Sequence, residues 1–517
     1  MSIGSGPHLG VDVGGTNTDA VVVEGGEVVC AAKTPTTEDV TTGIVAALDE
    51  ALAKSDLAKE QVSAVMIGTT HFTNAIVEGR GLLPTAILRL CGQATRAVPP
   101  LTDWPVRLRA VVEGAVFLTG GGHEYDGRVI SPLDHSDLEK TAAAIREAGL
   151  STAAITSVFS PVDDTHEREA ADLLRDLLPD LEISLSSEIG SIGLVERENA
   201  TVINSSLRGL ARRIVGGLEE AISSLGLTAP VYLSQNDGTL MDSDYTRRYP
   251  VATFASGPTN SMRGAAWLSG LGDCAVIDIG GTTTDVGMLV HGFPRQSSVT
   301  VDVSGVRTNF RMPDVVSTGI GGGSIVAVGD EVTVGPESVG YRITERAMVF
   351  GGDVLTATDV AVAGGLAEIG HPALVEELDP GIVRDALAYV AEGIGEVLDL
   401  MKTGPEPVPV VMVGGGSVIV DHVPGASQLT RPSHFPVANA VGAAIAEIGG
   451  QVDRIVSLDE TPREEALRMV SEEAMERAIA AGARRETVTI VDIDEIPLAY
   501  LPSNAVRLKV KAVGELG

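Results

Sequence analysis

Cysteine is scarce in this chain. Cys30, Cys91 and Cys274 lie far apart in 517 residues, with no Cys-x-x-Cys spacing. This pattern excludes a disulfide framework and a cysteine-ligated cluster. Two of the three fall within apolar runs, so we expect buried free thiols.

Basic residues are few relative to acidic ones. The chain has 37 lysines and arginines against 70 acids, a formal net charge of −33. Binding to nucleic acid requires a basic surface, so this balance excludes nucleic acid as an expected partner. The acids are scattered rather than gathered in a tail, which is typical of a solubilising surface.

Long uncharged apolar segments are also missing, as is a charged-then-apolar run at the N-terminus. We therefore expect a cytoplasmic protein with no membrane partner. Aromatic residues make up only 3% of a chain that is 44% hydrophobic and contains 60 glycines, so Val, Ile, Leu and Ala must fill the core of a strand- and turn-rich α/β protein. The length predicts two or three domains.

The clearest positive signal is a repeated stretch. VDVGGTNTD at residues 11–19 returns as IDIGGTTTD at residues 277–285, with equivalent positions 266 apart (278 − 12). Each copy has an apolar run, an acid, a Gly-Gly-Thr turn and a second β-rich run, the pattern of a β-hairpin. Two copies predict two similarly folded halves.

The repeated turn has the chemistry of a phosphate site. Glycines bring backbone N–H groups close to a ligand and threonine hydroxyls add donors, while an acid at a strand end can hold Mg²⁺, usually through its water shell. One such turn is typical of an ordinary hairpin, whereas two favour a ligand site. The predicted phosphate-binding residues are Gly14, Gly15, Thr16, Thr18, Gly280, Gly281, Thr282 and Thr284. Asp12 and Asp278 are the predicted catalytic, metal-associated acids.

A third glycine element follows an apolar strand in VVMVGGGSVIV, residues 410–420. Without Cβ atoms at Gly414, Gly415 and Gly416, a purine can lie flat against the backbone. The three elements together resemble the two phosphate loops and the adenosine loop of the actin, sugar kinase and Hsp70 ATPase superfamily. This resemblance implies an α/β fold with two RNase H-like halves around a nucleotide cleft.

Substrate contacts are predicted after a strand at residues 64–67. Thr69, Thr70 and Asn74 follow this strand, at the kind of strand end where α/β ligand sites lie. The spacing alone favours the alternative, a helix N-cap, with Thr70 or Thr73 ahead of a helix over 74–78. His71 has no acid close to it in sequence, so we do not expect it to be a catalytic base.

Several other polar groups have both a functional and a structural interpretation. A hairpin-like cluster at residues 123–126 could hold a metal or face solvent, and Glu196, Arg197, Glu198 and Asn199 could serve acid–base chemistry. Consecutive helical residues point in different directions, so those four cannot all face one cleft. The glycines at 321–323 could contact nucleotide or form a tight turn, and the Ser-Gly-Pro at 256–258 could cap a helix or bind an anion.

The order of predicted elements indicates the domain organisation. Repeated β-α-β units predict a partly parallel sheet. We expect a first region over 1–190 with the first phosphate loop, a second over 191–450 with the second phosphate and adenosine loops, and a small C-terminal α/β extension over 451–517.

Several motifs in fixed order carry a family resemblance. They are GTTHFTNAIVEGRG, YDGRV, LSSEIGSIGLVERENATVIN, ASGP, IDIGGTTTD and VGPESVGY. Over residues 8 to about 450 the chain resembles the hydantoinase A / 5-oxoprolinase family, which includes the β-subunit of acetone carboxylase. The resemblance implies ATP-dependent opening of a cyclic amide, in which ATP phosphorylates the amide oxygen and water attacks the activated carbon. It further implies ATP and Mg²⁺ as cofactors, a hydantoinase B-like or other second subunit, and an oligomer.

One stretch departs from the family pattern. Family members often carry a segment of the ACYGRGG kind where this chain has GYRITERAMVFGGD, residues 340–353. The alternatives to a cyclic amidase are a small-molecule kinase, an ATP-dependent carboxylase subunit, and a non-catalytic ATPase switch or reactivating chaperone. Fold analogy does not separate them.

Overall fold

The structure is a computed structural model that describes residues 6–14, 17–36, 40–297, 300–310, 312–499 and 504–516. The chain begins with an antiparallel meander, a helix and a parallel strand, the topology expected of an RNase H-like half. These elements are β1 (His8–Val13), β2 (Asn17–Glu24), β3 (Glu27–Pro35), α1 (Val40–Ser55), β4 (Ala64–Gly68) and α2 (His71–Glu78).

A four-stranded parallel sheet of order β6-β5-β7-β8 is inserted next. Its elements are β5 (Thr85–Leu90), α3 (Val106–Val112), β6 (Glu113–Thr119), α4 (His135–Glu147), β7 (Thr152–Ser157), α5 (Thr165–Leu177), β8 (Glu182–Leu185) and α6 (Ser186–Ile189). Strands β5 and β7 are buried along their whole length, because helices cover this sheet.

The chain then returns to the first sheet. A long helix, α7 (Leu194–Ser224), precedes β9 (Val231–Ser234), which is parallel to β4, and β10 (Leu240–Asp242), which is antiparallel to β9. Two helices follow, α8 (Ser243–Arg248) and α9 (Ser256–Ser269).

The second half repeats the hairpin at the start of the chain. Its elements are β11 (Cys274–Ile279), β12 (Thr284–Val290), β13 (Phe293–Pro294), β14 (Val301–Val303), β15 (Val306–Thr308), β16 (Val315–Thr318), β17 (Ser324–Val328), β18 (Val332–Ser338), α10 (Ile343–Arg346), α11 (Ala357–Ala363), α12 (Pro380–Met401), β19 (Val408–Val413) and β20 (Ala426–Thr430). Strand β19 is parallel to β11, in a sheet of order β13-β12-β11-β19-β20 with β16 against β12.

The C-terminal part returns to the first half. After α13 (Ala438–Ala444) come β21 (Ile448–Ser457), α14 (Arg463–Ala480), β22 (Thr489–Pro497) and β23 (Ala505–Gly514). These strands join β10 to complete a nine-stranded sheet of order β22-β23-β21-β10-β9-β4-β1-β2-β3. The C-terminal α/β extension is therefore continuous with the first sheet.

Helices α9 and α13 carry the chain between the two halves, α9 on the way out and α13 on the way back. They pack so closely that a Cβ on Gly264 would lie 1.9 Å from the carbonyl oxygen of Ala438, and one on Gly442 would lie 1.8 Å from that of Asn260. Only glycine permits this approach of two backbones.

The predicted fold class, two RNase H-like α/β halves with a C-terminal α/β extension, is confirmed. The sheets do not divide the chain at residues 190 and 450, however, because α7, β9 and β10 return to the first sheet before the second half begins. Among the described residues, no helix combines the length and the apolar run needed to cross a bilayer.

Candidate active site

The two predicted turns close in the same way. The N–H of Gly14 donates to the carbonyl of Asn17 at 3.0 Å, and 266 residues later (280 − 14) the N–H of Gly280 donates to the carbonyl of Thr283 at 2.9 Å. The strand registers also match, since Asp12 lies opposite Asp19 and Asp278 lies opposite Asp285. The repeat in the sequence is thus a repeat in backbone geometry.

Asp12 ends β1 and is buried, with 5% of its surface exposed. Its two carboxylate oxygens accept hydrogen bonds from the side chains of Asn260 on α9, at 3.1 Å, and Asn439 on α13, at 3.0 Å. Burial raises the pKa of Asp12 to about 6, while the hydrogen bond from Asn260 opposes the rise. Both helices that cross between the halves therefore hold this one carboxylate.

Asp278 occupies the equivalent place at the end of β11. Burial raises its pKa to about 7, a hydrogen bond from Ser261 opposes the rise, and the charges of Asp285, Asp12 and Asp19 add to it. Asp12 and Asp19 of the first turn thus lie near enough to Asp278 to raise its pKa. A cation would relieve their repulsion and restore the ionised forms.

The partners of the second acid in each turn differ between the halves. Asp19 forms an ion pair with Lys33 of β3, Nζ to Oδ1 2.5 Å. Asp285 instead accepts a hydrogen bond from Ser317 of β16 at 2.5 Å, and burial raises its pKa. The second turn therefore carries the less compensated negative charge.

The third glycine element lies against the second turn. A Cβ on Gly414, whose φ is +82°, would come within 2.2 Å of Asp278 Oδ1, whereas one on Gly415 would meet no atom within 4 Å. The N–H of Gly416 donates to the carbonyl of Ile279 at 2.7 Å. Gly414 and Gly416 thus seat the loop, and Gly415 faces open space where a flat base can approach.

The glycines at 321–323 support the same turn. The N–H of Gly322 donates to the carbonyl of Gly280 at 3.0 Å, and that of Gly323 donates to the carbonyl of Gly281 at 2.7 Å. The N–H of Ser324 also donates to the carbonyl of Gly321 at 3.0 Å, so this stretch is a tight turn packed against the second Gly-Gly-Thr turn.

The predicted phosphate-binding residues fall into three groups. Gly14, Gly280, Gly281 and Thr282 lie in the turns, with Thr282 exposed. Thr18 and Thr284 are fully buried, and their hydroxyls hydrogen-bond to Thr36 at 3.3 Å and to the carbonyl of Ile320 at 2.6 Å. Gly15 and Thr16 lie outside the described residues.

The predicted substrate residues surround the start of α2. Thr70 is the N-cap position of that helix, Thr69 is buried with its hydroxyl against His71 Nδ1, and Asn74 is exposed one turn along. Thr70 therefore occupies the N-cap position, but its hydroxyl makes no capping hydrogen bond to the helix. Thr69 and Gly68 also contact the site, because Ser256 of α9 donates to the Thr69 carbonyl at 3.3 Å and a Cβ on Gly68 would meet Asp12.

The polar group at 196–199 is structural. Glu198 accepts two hydrogen bonds of 2.6 Å from Arg89, and both side chains are buried. Arg197 donates to the carbonyl of Ser157 at 2.7 Å, and Asn199 accepts from the indole of Trp104 at 2.8 Å. These bonds join α7 to the inserted sheet, so acid–base work by this group is not supported.

The side chains of the cluster at 123–126 do not converge on one site. His123 is buried and its ring stacks on that of His166 at 4.4 Å, whereas Asp126 pairs with Arg128 at 2.7 Å near the surface. The described ranges contain no group of three or more His, Cys, Asp or Glu side chains arranged to hold a metal.

Sequence reasoning missed Asn260, Ser261, Asn439 and Lys33, which contact the acids of the turns. Asn260 and Asn439 lie 248 and 427 residues from Asp12, so no local pattern links them to it. Lys33, in contrast, lies directly opposite Asp19 in the antiparallel pair of β2 and β3, and Ser261 precedes Asp278 by 17 residues (278 − 261). A signal existed in the small residues around Asn260 and Asn439, SGPTNSMRGAA and VANAVGAA, which are typical of closely packed helices.

The donor set suits Mg²⁺. This ion takes oxygen ligands, keeps several waters and uses one or two carboxylates plus phosphate oxygens rather than an all-protein cage. Asp12 and Asp278 provide two carboxylates with raised pKa values beside glycine turns, and a cradle open at Gly415 adjoins them.

The chain matches two family models and is similar in sequence to several known proteins. Residues 8–178 match the family model of the hydantoinase/oxoprolinase N-terminal region, and residues 197–398 match the hydantoinase/oxoprolinase model. The caprolactamase subunit alpha of Pseudomonas jessenii is 25% identical over 466 residues, 80% of this chain and 66% of that protein. The acetophenone carboxylase gamma subunit of Aromatoleum aromaticum is 26% identical over 393 residues, 69% of this chain and 53% of that protein.

An uncharacterised protein of Methanocaldococcus jannaschii is 26% identical over 438 residues, 77% of this chain and 62% of its own length. The chain thus spans between about half and two thirds of the length of these relatives. Among solved structures, the ATP-dependent caprolactamase of P. jessenii is similar with a TM-score of 0.76 and 20% identity, covering 99% of this chain and 88% of that one. Nucleotide-free acetone carboxylase is similar with a TM-score of 0.64 and 16% identity, with the same coverage. These likenesses show a shared fold.

Proposed function

The chain belongs to the hydantoinase/oxoprolinase family, and from this premise we propose that it is the ATP-using subunit of an enzyme that opens a cyclic amide. The observation that carries the proposal is the matched pair of turns, each closed by the same backbone hydrogen bond and each preceded by a buried acid. Two such turns, one from each half, can bind the oxygens of one triphosphate from opposite sides.

The proposed chemistry overcomes the low reactivity of an amide. The amide oxygen attacks the γ-phosphorus of ATP, the bond to the bridging oxygen breaks, and ADP leaves. The ring carbon then carries an O-phosphoryl group and is electrophilic enough for water to add. Loss of inorganic phosphate and cleavage of the C–N bond give a carboxylate and an amine. Phosphoryl transfer of this kind depends mainly on positioning and on charge stabilisation.

Each part of the site has a proposed task. Backbone N–H groups of the turns at Gly14 and Gly280 hold phosphate oxygens, and the loop at Gly415 contacts adenosine. Asp12 and Asp278 hold Mg²⁺, partly through its waters. Bound Mg²⁺ would neutralise charge on the phosphates as it develops. Asn260 and Asn439 donate to both oxygens of Asp12 and so favour its ionised form.

Two of the relatives are named as subunits, alpha of a caprolactamase and gamma of a carboxylase. We therefore propose that the hydrolytic step uses a second, hydantoinase B-like subunit, and that the working enzyme is an oligomer. The carboxylase relative also favours a second candidate function, in which the activated carbonyl compound is carboxylated rather than hydrolysed.

Measuring ATP consumption and products with a panel of compounds tests the proposal. Hydantoin, 2-pyrrolidinone and 5-oxoproline represent cyclic amides, and small ketones with bicarbonate represent carboxylation. ADP and phosphate formation that requires a cyclic amide and yields a ring-opened product supports the amidase. A stable phosphorylated product indicates a kinase, and ATP turnover unaffected by any small molecule but altered by a protein indicates a switch.

The site assignment has its own test. Asp12→Asn and Asp278→Asn should each lower Mg-dependent ATP turnover by at least about 100-fold, because each removes a charge that faces the metal. Unchanged melting temperatures would show that the fold persists. Normal turnover in both variants would refute the assignment.

A further inference from the structure

A pocket distinct from the two turns lies near the same edge of the first sheet. Gln235 and Asn236, directly after the end of β9, line it together with Asn309 and Phe310 of the second half. The C-terminal extension contributes Gln451. The pocket has a volume of about 120 Å³, which suits a small ring.

The pocket is close to the proposed phosphate site. Strand β4 lies between β1 and β9, and neighbouring strands are about 4.8 Å apart, so the ends of β1 and β9 are separated by about 10 Å. The carbonyl of Asn236 accepts a hydrogen bond of 3.2 Å from Thr259, and the next residue, Asn260, binds Asp12. The lining residues Gln235 and Asn236 therefore lie at the same edge of the sheet as the first turn, about 10 Å from it.

The uncharged lining has the hydrogen-bonding capacity that an amide requires. It includes four carboxamides, namely Gln235, Asn236, Asn309 and Gln451. Gln235 donates to Thr239, Leu240 and Gly449, and Gln451 hydrogen-bonds to Gln296 and Asp237, so the contacts to a ligand are assigned to Asn236 and Asn309. Asn309 donates to the carbonyls of Ser191, Ile192 and Gly193 at 3.1, 2.8 and 3.3 Å, while its Oδ1 is a buried acceptor with no partner among the described residues. The rings of Tyr245 and Tyr249, with centroids 4.5 Å apart, provide apolar surface.

The charged lining is already neutralised within the protein. Glu188 pairs with Arg248 at 3.0 Å, Asp453 with Arg507 at 2.6 Å, and Arg477 with Glu473 at 3.0 Å. No other charged side chain lines this pocket among the residues that the structure describes. An anionic ligand would therefore lose its hydration without gaining an unpaired cation.

We propose that this pocket binds the ring that is opened, and that it selects a neutral cyclic amide over one that carries a carboxylate. This inference rests on the proposed function and narrows its substrate class. The amide N–H donates to a carboxamide oxygen of the lining, the apolar part of the ring packs on the tyrosines, and the amide oxygen faces the phosphate turn.

A matched pair of probes tests the selection. 2-Pyrrolidinone and L-5-oxoproline share the same five-membered lactam and differ only by the carboxylate. ADP formation by the full chain, purified with its second subunit if turnover requires one, should show kcat/KM for 2-pyrrolidinone about 100-fold higher than for 5-oxoproline. Equal or better use of 5-oxoproline overturns the inference but leaves the proposed function standing. Failure of every cyclic amide to promote ADP formation overturns the proposed function itself.

A second arm tests the location. Asn236→Asp adds a negative charge to the pocket wall with little change in shape, and Asn504→Asp adds the same charge at an exposed position. The first should raise KM for 2-pyrrolidinone about 10-fold with the affinity for ATP unchanged, and the second should leave both unchanged. Equal behaviour of the two variants contradicts the pocket assignment.

Discussion

The close crossing of α9 and α13 makes Gly264→Ala the most informative single substitution. The new Cβ would lie 1.9 Å from the carbonyl oxygen of Ala438 and 3.1 Å from the N–H nitrogen of Gly442, both backbone atoms that no rotamer change can move. Ordinary contact begins at 3.4 Å, so the helices would have to separate by about 1.5 Å (3.4 − 1.9). Overpacking of this kind costs about 1–3 kcal/mol or more.

The separation would also reach the site. Asn260 lies one turn from Gly264 on α9 and Asn439 lies on α13, and they donate to Asp12 at 3.1 and 3.0 Å. A shift of about 1.5 Å takes at least one of these bonds beyond hydrogen-bond distance. We therefore expect a lower melting temperature together with weaker Mg·ATP binding.

Gly257→Ala on the same helix is the matched control. A Cβ there would meet no atom within 4 Å, so replacing this helical glycine should be neutral or stabilise by up to about 1 kcal/mol. Differential scanning fluorimetry compares the variants for stability, and titration calorimetry with Mg·ATP compares their binding. Equal melting temperatures for Gly264→Ala, Gly257→Ala and the wild type would refute the packing argument.

Three further predictions follow from the contacts described. Glu198→Gln leaves the Arg89 charge buried and unpaired, so chemical denaturation should show a loss of about 3–5 kcal/mol, whereas a double substitution to Arg89→Met and Glu198→Leu should recover most of it. Asn439→Leu removes a hydrogen-bond donor to Asp12, so the Mg²⁺ concentration for half-maximal ATP turnover should rise about 10-fold. If Asn439 only stabilises the fold, the variant will unfold more easily but this Mg²⁺ concentration will not rise. Because burial raises the pKa of Asp12 to about 6 and that of Asp278 to about 7, folded Mg-free protein holds protons that the unfolded chain has released, so stability should fall as pH rises from about 4 to 7. Denaturation in EDTA across this range should show a smaller fall for Asp12→Asn, and a stability that rose with pH equally in both proteins would contradict those shifts.

Much of the fold was accessible from the sequence because its signals are local. The strand predicted at 64–67 matches β4 to within one residue. The C-terminal α/β extension predicted over 451–517 contains α14 and β23. Most directly, the repeated Asp-x-Gly-Gly-Thr stretch predicts two β-hairpins, and the structure gives both the same strand register.

The rest of the site depends on contacts between remote elements. Asn260 and Asn439 reach Asp12 across 248 and 427 residues. Their positions follow from how two helices cross between the halves, which no periodicity encodes. Glu198 likewise pairs with Arg89 across 109 residues. The predicted acid–base residue is therefore part of a buried ion pair that joins α7 to β5. Thr18 and Thr284 look like phosphate donors in the repeat, but the strands bury both hydroxyls.

Diffraction from crystals grown with Mn²⁺ and a non-hydrolysable ATP analogue tests the central claim most directly. Mn²⁺ has oxygen-ligand preferences similar to those of Mg²⁺ and is located by its anomalous signal. We predict an anomalous peak between Asp12 and Asp278, the triphosphate between the turns at Gly14 and Gly280, and the base beside Gly415. A triphosphate bound elsewhere, or a metal peak remote from both acids, would contradict the claim that the two turns together bind the triphosphate and its metal ion.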